Sequence, residues 1–271
     1  MNTKKTVVTL ALSCTMIANM GAAAYAAPAL AAGKETKPTT TTQTTLLNNK
    51  STTNKVGIDL KATKQPIKAT NRFVHVNLNV PVIIGLKDSK YEEQLNDILM
   101  RHAMKEKTEV YEASKKAEQV AKKQKVTFEP ATLNSDFRFV KNGNVLSLIV
   151  DTYKITSAEA NGESRTDTYT FLNEDDAHAL QLSDLFNKDT DYKALLGNVV
   201  RNQIALKKNK EDFNFEKIND TQSFYVSNGY LVLTFDRYEI APGAAGSQNF
   251  KIQLASIQSK LSDTFKQALK G

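Results

Sequence analysis

SFYVSNGYLVLTFDRYEIAPGAAG, residues 223–246, is the stretch from which the rest of this chain can be placed. Phe224, Tyr225 and Val226 form one strand-like run and Tyr230 to Phe235 a second. Asn228-Gly229 lies between them, and Asn-Gly between apolar runs is a strong hairpin signal, because a type I′ turn needs positive φ at both central residues. The second run leads into Tyr238-Glu239-Ile240-Ala241-Pro242-Gly243-Ala244-Ala245-Gly246. Pro242 fixes φ and removes a donor, while the two glycines admit backbone angles closed to other residues. Such a loop at a hairpin end reads as a shaped surface, and Tyr238, Glu239, Pro242, Gly243 and Gly246 are its candidate ligand-binding residues. A purely structural turn is the competing reading.

Outward from the hairpin, the chain alternates sheet and helix signals. Val74, Val76, Leu78 and Val80 alternate with Phe73, His75, Asn77 and Asn79, a two-residue period expected of a half-buried strand that Pro81 confines to an edge or a strand end. Ser89 with Glu92 reads as a capping box opening a helix that runs to about Lys125 with a richly charged later half. Val126 to Asn173 reads as an antiparallel meander with turns at Asn142-Gly143 and Asn161-Gly162. Asp189 is placed as the cap of a helix over 190–208, and Phe213 to Ile218 as a short helical turn. Phe250, Ile252 and Leu254 follow as a last strand and Ser256 to Leu269 as a final amphipathic helix. The fold class is therefore α+β: a mainly antiparallel sheet, a long N-terminal helix and two further helices packed on one face, around one shared core.

Residues 1–26 read as a secretory signal, with Lys4 and Lys5 before an apolar run and Ala24-Tyr25-Ala26 as the cleavage site. Ala29-Leu30-Ala31 is a second candidate site, and an uncleaved anchor is the competing reading. Cys14, the single cysteine, raises lipidation, but Ala11-Leu12-Ser13 before it is a poor lipobox. Cleavage at 26 leaves a cysteine-free chain without thiol or disulfide chemistry and without a transmembrane anchor. Residues 27–55 form a Thr/Lys-rich linker too polar to offset its ordering entropy, which leaves 56–271 as the folded module. Lysines of the linker could touch anionic wall polymers.

The formal net charge of +7 invites a nucleic-acid reading. Nine lysines against Glu35 and Asp59 in residues 1–70 account for all of it, and the remaining residues carry 27 charges of each sign. A balanced module has no excess with which to grip a polyanion, so no nucleic acid is expected. His75, His102 and His178 share no metal-ligand spacing, and no nucleophile-elbow, P-loop or dinucleotide motif occurs, so no metal, cofactor or catalytic residue is assigned. Asn187, Asp189 and Asp191 lack the glycine and glutamate of a calcium loop. Asp236 and Glu239 are the carboxylates that a hydrolase would use, an alternative that requires both to line one cleft.

Tyr238-Glu239-Ile240-Ala241-Pro242, the Ala-Ala-Gly that follows and the preceding Asn-Gly hairpin resemble the C-terminal half of a bacterial extracellular module. That module occurs in RsiV-type anti-sigma factors, which sense lysozyme, and beside the catalytic domain of PdaC-type peptidoglycan deacetylases. The resemblance spans about 73–254; Pro81, Gly85-Leu86 and the Leu182-Ser183-Asp184-Leu185-Phe186 run match its pattern. Where the family often has Thr-Gly-Gly-Ala-His, this chain has Ile155 to Gly162 without that histidine or the paired glycines. The resemblance implies a non-catalytic binding module, secreted or wall-associated in a bacterium, with lysozyme or a cell-wall polymer as partner. Only Met1 to Thr6 precede the apolar run and no deacetylase-like metal motif follows, so neither a sigma-binding segment nor a deacetylase domain is expected. A wall hydrolase and a ligand-free surface protein are the alternatives.

Overall fold

The computed structural model describes residues 59–271 apart from positions 158 and 160. The expected leader (1–26) with Cys14, the linker (27–55) and the first residues of the module (56–58) lie outside the described residues. β1 (Lys61–Thr70) and β2 (Val74–Ile84) pair antiparallel. Val74, Val76, Leu78 and Val80 are buried while His75 and Asn77 are exposed, as a two-residue period demands. Pro81 lies past Leu78, the last residue of β2 that pairs with β3, and so interrupts no ladder on that side. The outer strand β1 carries Pro66 and three lysines, which discourage pairing with another chain.

α1 (Ser89–Gln124) is the crossover that returns the chain to β3 (Ala131–Asn142), parallel to β2. Its cap is not the expected Ser89. Asp88 takes that place, its Oδ1 accepting from Lys90 N at 2.9 Å and Tyr91 N at 3.0 Å. Glu92 Oε2 instead accepts from Gly85 N and Leu86 N, both at 2.7 Å, tying down the turn that enters the helix. A carboxylate wins over a hydroxyl here because it accepts two N–H groups and opposes the positive end of the helix. β4 (Val145–Ile155) and β5 (Glu163–Leu172) complete a five-stranded sheet in the order β1-β2-β3-β4-β5, antiparallel except for the β2–β3 pair.

α2 (Tyr192–Ala205) is capped by Asp191, which accepts from Ala194 N at 3.0 Å, two residues later than the expected Asp189. The helical turn expected at Phe213 to Ile218 falls earlier, as 3-10 helix over Lys210–Asp212; Phe213 and Phe215 pack instead against the core. β6 (Phe224–Ser227), β7 (Tyr230–Phe235) and β8 (Gln248–Gln253) form a second, antiparallel sheet. Asn228 (φ 51°) and Gly229 (φ 79°) make the turn with positive φ at both positions that Asn-Gly announces. The single helix expected over 256–269 is split into a 3-10 segment (Leu254–Lys260) and α3 (Asp263–Ala268). Leu261 between them is extended because it bridges Phe186, and Ser262 then caps α3 through Phe265 N.

Apolar residues gather in two main clusters, not in one shared core. α1 packs its Leu95, Leu99 and Val110 on one face of the large sheet against Val76, Leu78, Leu133, Leu146, Leu148 and Phe171. On the other side, Val145 and Leu172 join the small sheet, α2 and α3 in a second cluster built on Leu196, Val200, Phe235, Phe250 and Phe265. The division follows from geometry, since alternate side chains of β4 and β5 leave opposite faces. Ile149, Tyr225 and Val232 bridge the two sheets. Polar groups bridge them too: Ser147 Oγ accepts from Val226 N at 3.0 Å, and Thr170 Oγ1 donates to Phe224 O at 3.1 Å. The two sheets thus hold β7, and the segment that follows it, in fixed relation to β5.

Candidate functional site

The segment leaving β7 begins with a tight turn, Asp236-Arg237-Tyr238-Glu239, closed by Glu239 N donating to Asp236 O at 3.1 Å. Its third residue is Tyr238 at φ +71°. Glycine or asparagine normally occupies such a position, and another residue there costs about 1–3 kcal/mol unless its surroundings hold it. Three contacts do. Glu239 Oε2 accepts from Asp236 N at 2.7 Å, clasping the turn from its other side. Arg237 Nε donates to Gly243 O at 2.7 Å, and a second guanidinium nitrogen donates to Gly162 O in the β4–β5 connection. The same guanidinium lies 5.0 Å from the centre of the Tyr238 ring, a cation–π distance. A Cβ on Gly243 would run into that ring, so glycine is what lets the tyrosine lie down on the loop. Tyr238 is nevertheless 69% exposed.

The remainder of the segment is anchored below. Ile240 and Ala241 are buried, and Ile240 O accepts from Asn214 N at 2.9 Å. Pro242 O accepts from Ala245 N at 2.8 Å. Gln248 Nε2 donates to Ala245 O at 2.7 Å, and Lys207 Nζ donates to Gln248 Oε1 at 3.1 Å. Of the five residues expected to bind, Tyr238 and Gly243 touch directly and Pro242 adjoins them on the exposed side. Glu239 has its carboxylate committed to the turn. Gly246, at φ +67° and ψ −167°, reverses the chain into β8. Arg237 was not among the expected residues, because an arginine between an aspartate and a tyrosine looks like any solvated charge. Gly162, its second anchor, read only as a bend.

The carboxylates here are not ordinary ones. Burial pushes Asp236 above the usual aspartate range; the Thr166 backbone N–H opposes the rise, and the charges of Asp167 and Glu163 add to it. Burial likewise raises Glu239, with the Asp236 N–H working against the shift and the Asp236 charge with it. Neither residue lines either of the two best-formed cavities among the described residues. His102, half-buried on α1, meets Tyr169 OH at 3.1 Å, and burial lowers its pKa. His75 is exposed on β2, and His178 Nδ1 lies 3.2 Å from Asp176 O. Among the described residues no three His, Cys, Asp or Glu side chains are grouped to hold a metal ion.

Comparison with known proteins matches two stretches of the chain, one on either side of β5. Residues 67–156 match the family model of deacetylase PdaC, and residues 183–255 match that of a protein of unknown function, DUF3298. The Tyr238 turn falls in the second. The chain is 26% identical over 199 residues to the anti-sigma-V factor RsiV of Bacillus subtilis (strain 168), an alignment covering 69% of this chain and 65% of that protein. It is 24% identical over 184 residues to the peptidoglycan-N-acetylmuramic acid deacetylase PdaC of the same strain, covering 64% of this chain and 37% of that protein. Less than two thirds of either relative is therefore spanned. Two crystal structures share the fold. A DUF3298 family member from Bacteroides fragilis NCTC 9343 has a TM-score of 0.62 at 16% identity, covering 78% of this chain and 97% of that one. A second from Pseudomonas aeruginosa PAO1 has a TM-score of 0.51 at 15% identity, covering 76% and 94%. The resemblance read from the Tyr238 segment thus extends to both halves of the fold.

Proposed function

We propose that this chain is an exported, envelope-associated binding module, non-catalytic, which docks the Tyr238 turn into the cleft of a lysozyme. The supporting observation is the turn itself: an exposed aromatic ring held on unfavourable backbone by Arg237, Gly243 and Gly162. Strain of this kind persists where a surface must keep one shape, and tyrosine beside arginine is the composition of interface hot spots. A turn whose exposed ring lies flat on the loop offers a partner a surface to cover better than it encloses a small ligand. The similarity to RsiV and PdaC supports a setting at the cell envelope; in this reading residues 1–26 are the leader, 27–55 the tether and 56–271 the module. Among the described residues no helix is long and apolar enough to cross a membrane. Isothermal titration of the full chain with lysozyme should give a sub-micromolar complex that Tyr238→Ala weakens more than tenfold. Absence of binding by the unaltered chain would remove lysozyme as the partner.

The second reading is a glycan hydrolase with Asp236 and Glu239 as acid and base: burial raises both carboxyls, while neither lines the two cavities and Glu239 clasps the turn. Turnover of wall glycan that disappears in Glu239→Gln would establish it in place of the first.

A further inference from the structure

At the opposite end of β7 from the Tyr238 turn lies a cavity of about 540 Å³ whose walls are chemically unlike that turn. It is lined by Asn142 from the β3–β4 hairpin, Asn228, Gly229 and Tyr230 from the β6–β7 hairpin, and Gln253, Leu254, Ala255 and Leu269 from the C-terminal segment. No charged side chain is among them. Three carboxamides, a phenol and three aliphatic groups line it instead. Tyr230 and Gln253 face each other across the β7–β8 ladder, so both are held on sheet backbone. Asn228 is fixed by its left-handed turn, and Leu254 N donates to Gly229 O at 2.9 Å, closing that side. Asn142 Nδ2 is already committed to Val226 O at 2.9 Å, which leaves its Oδ1 as acceptor. Asn228, Tyr230 and Gln253 are exposed, so their polar groups stand open at the mouth of the cavity.

Those properties select a ligand class. An ion would enter a site with no countercharge and lose hydration without return. A purely apolar ligand would strip water from the carboxamides and give nothing back. An uncharged sugar bearing acetamide groups satisfies both: its hydroxyls and amide exchange hydrogen bonds with Asn142, Asn228 and Gln253, and its methyl and ring C–H surface meets Tyr230, Leu254 and Leu269. The volume lies within the range of small-ligand sites. The second cavity, about 490 Å³, makes the contrast: Lys193 pairs with Asp220 there, and Asp191, Arg201, Glu216 and Lys217 also line it.

From this lining we propose that the cavity between Tyr230, Asn228, Gln253 and Leu269 is a binding site for an uncharged N-acetylated oligosaccharide, separate from the Tyr238 turn. The test is titration of the full chain with N-acetylglucosamine tetrasaccharide, followed by calorimetry and by backbone NMR shifts. Saturable binding is expected, with shifts centred on 228–230 and 253–255. Tyr230→Ala and Gln253→Ala should each weaken it about tenfold while leaving the circular dichroism spectrum unchanged. Tyr238→Ala should leave it untouched, which separates this site from the lysozyme reading. The unacetylated tetrasaccharide of glucose should bind at least tenfold more weakly. No saturable binding, shifts centred on 236–246, or equal affinity for the unacetylated sugar would each overturn the proposal.

Discussion

Gly243 and Tyr238 work as a pair: the glycine is small so that the tyrosine can be held. Gly243 is not among the positive-φ glycines, so an alanine there adds no backbone strain and only pushes the ring away. Gly243→Ala should therefore weaken partner binding nearly as much as Tyr238→Ala while changing unfolding free energy by less than about 1 kcal/mol, measured by urea denaturation. Asp236 makes a different prediction. Its folded-state pKa is raised, so ionisation disfavours the folded state, and its favourable contribution is present at low pH and lost as pH rises through the folded value. Asp236→Asn, which can still accept from Thr166 N, should raise the melting temperature at pH 7, with the difference closing as pH falls towards 4. An unchanged difference across that range would contradict the sign. Pro242, Gly243 and Gly246 were legible in the sequence because proline and glycine act through the local backbone. Arg237 was not, because its role depends on Gly162, brought near only by the folded sheets.

The elements show the same division between local and distant causes. Strand periods, the Asn228-Gly229 turn and the long helix could be read directly, since each follows from residues adjacent in the chain. Caps moved by one or two residues wherever two acceptors competed, as at Asp88 beside Ser89 and Asp191 beside Asp189. The break at Leu261 could not be read, because it is made by pairing with Phe186, far away in sequence. The join between the sheets was equally hidden. Ser147 and Thr170 look like ordinary alternating strand residues, yet both are buried and meet the β6 backbone. Ser147→Ala leaves Val226 N–H buried without its acceptor and should destabilise the chain by about 1–3 kcal/mol in denaturant unfolding. A loss below about 0.5 kcal/mol would mean that the apolar contacts of Ile149, Tyr225 and Val232 hold the sheets together unaided.

Across the whole molecule, two apolar clusters share the β4–β5 plane, and that plane carries the anchor of the exposed turn. Val145 to Ile149 are buried on both faces, so this one run serves two clusters where a single shared core was expected. Gly162, at the entry to β5, then receives Arg237 from the segment following β7, so the Tyr238 turn is braced by both sheets. Hydrogen exchange of the full chain, read by mass spectrometry with and without saturating lysozyme, tests the docking of this turn most directly. Added protection is expected over 236–246 and the adjoining Gly162, with the exposed outer strand β1 unchanged. Protection confined to other surfaces, with 236–246 exchanging as in the free protein, would contradict the assignment of Tyr238 as the docking residue.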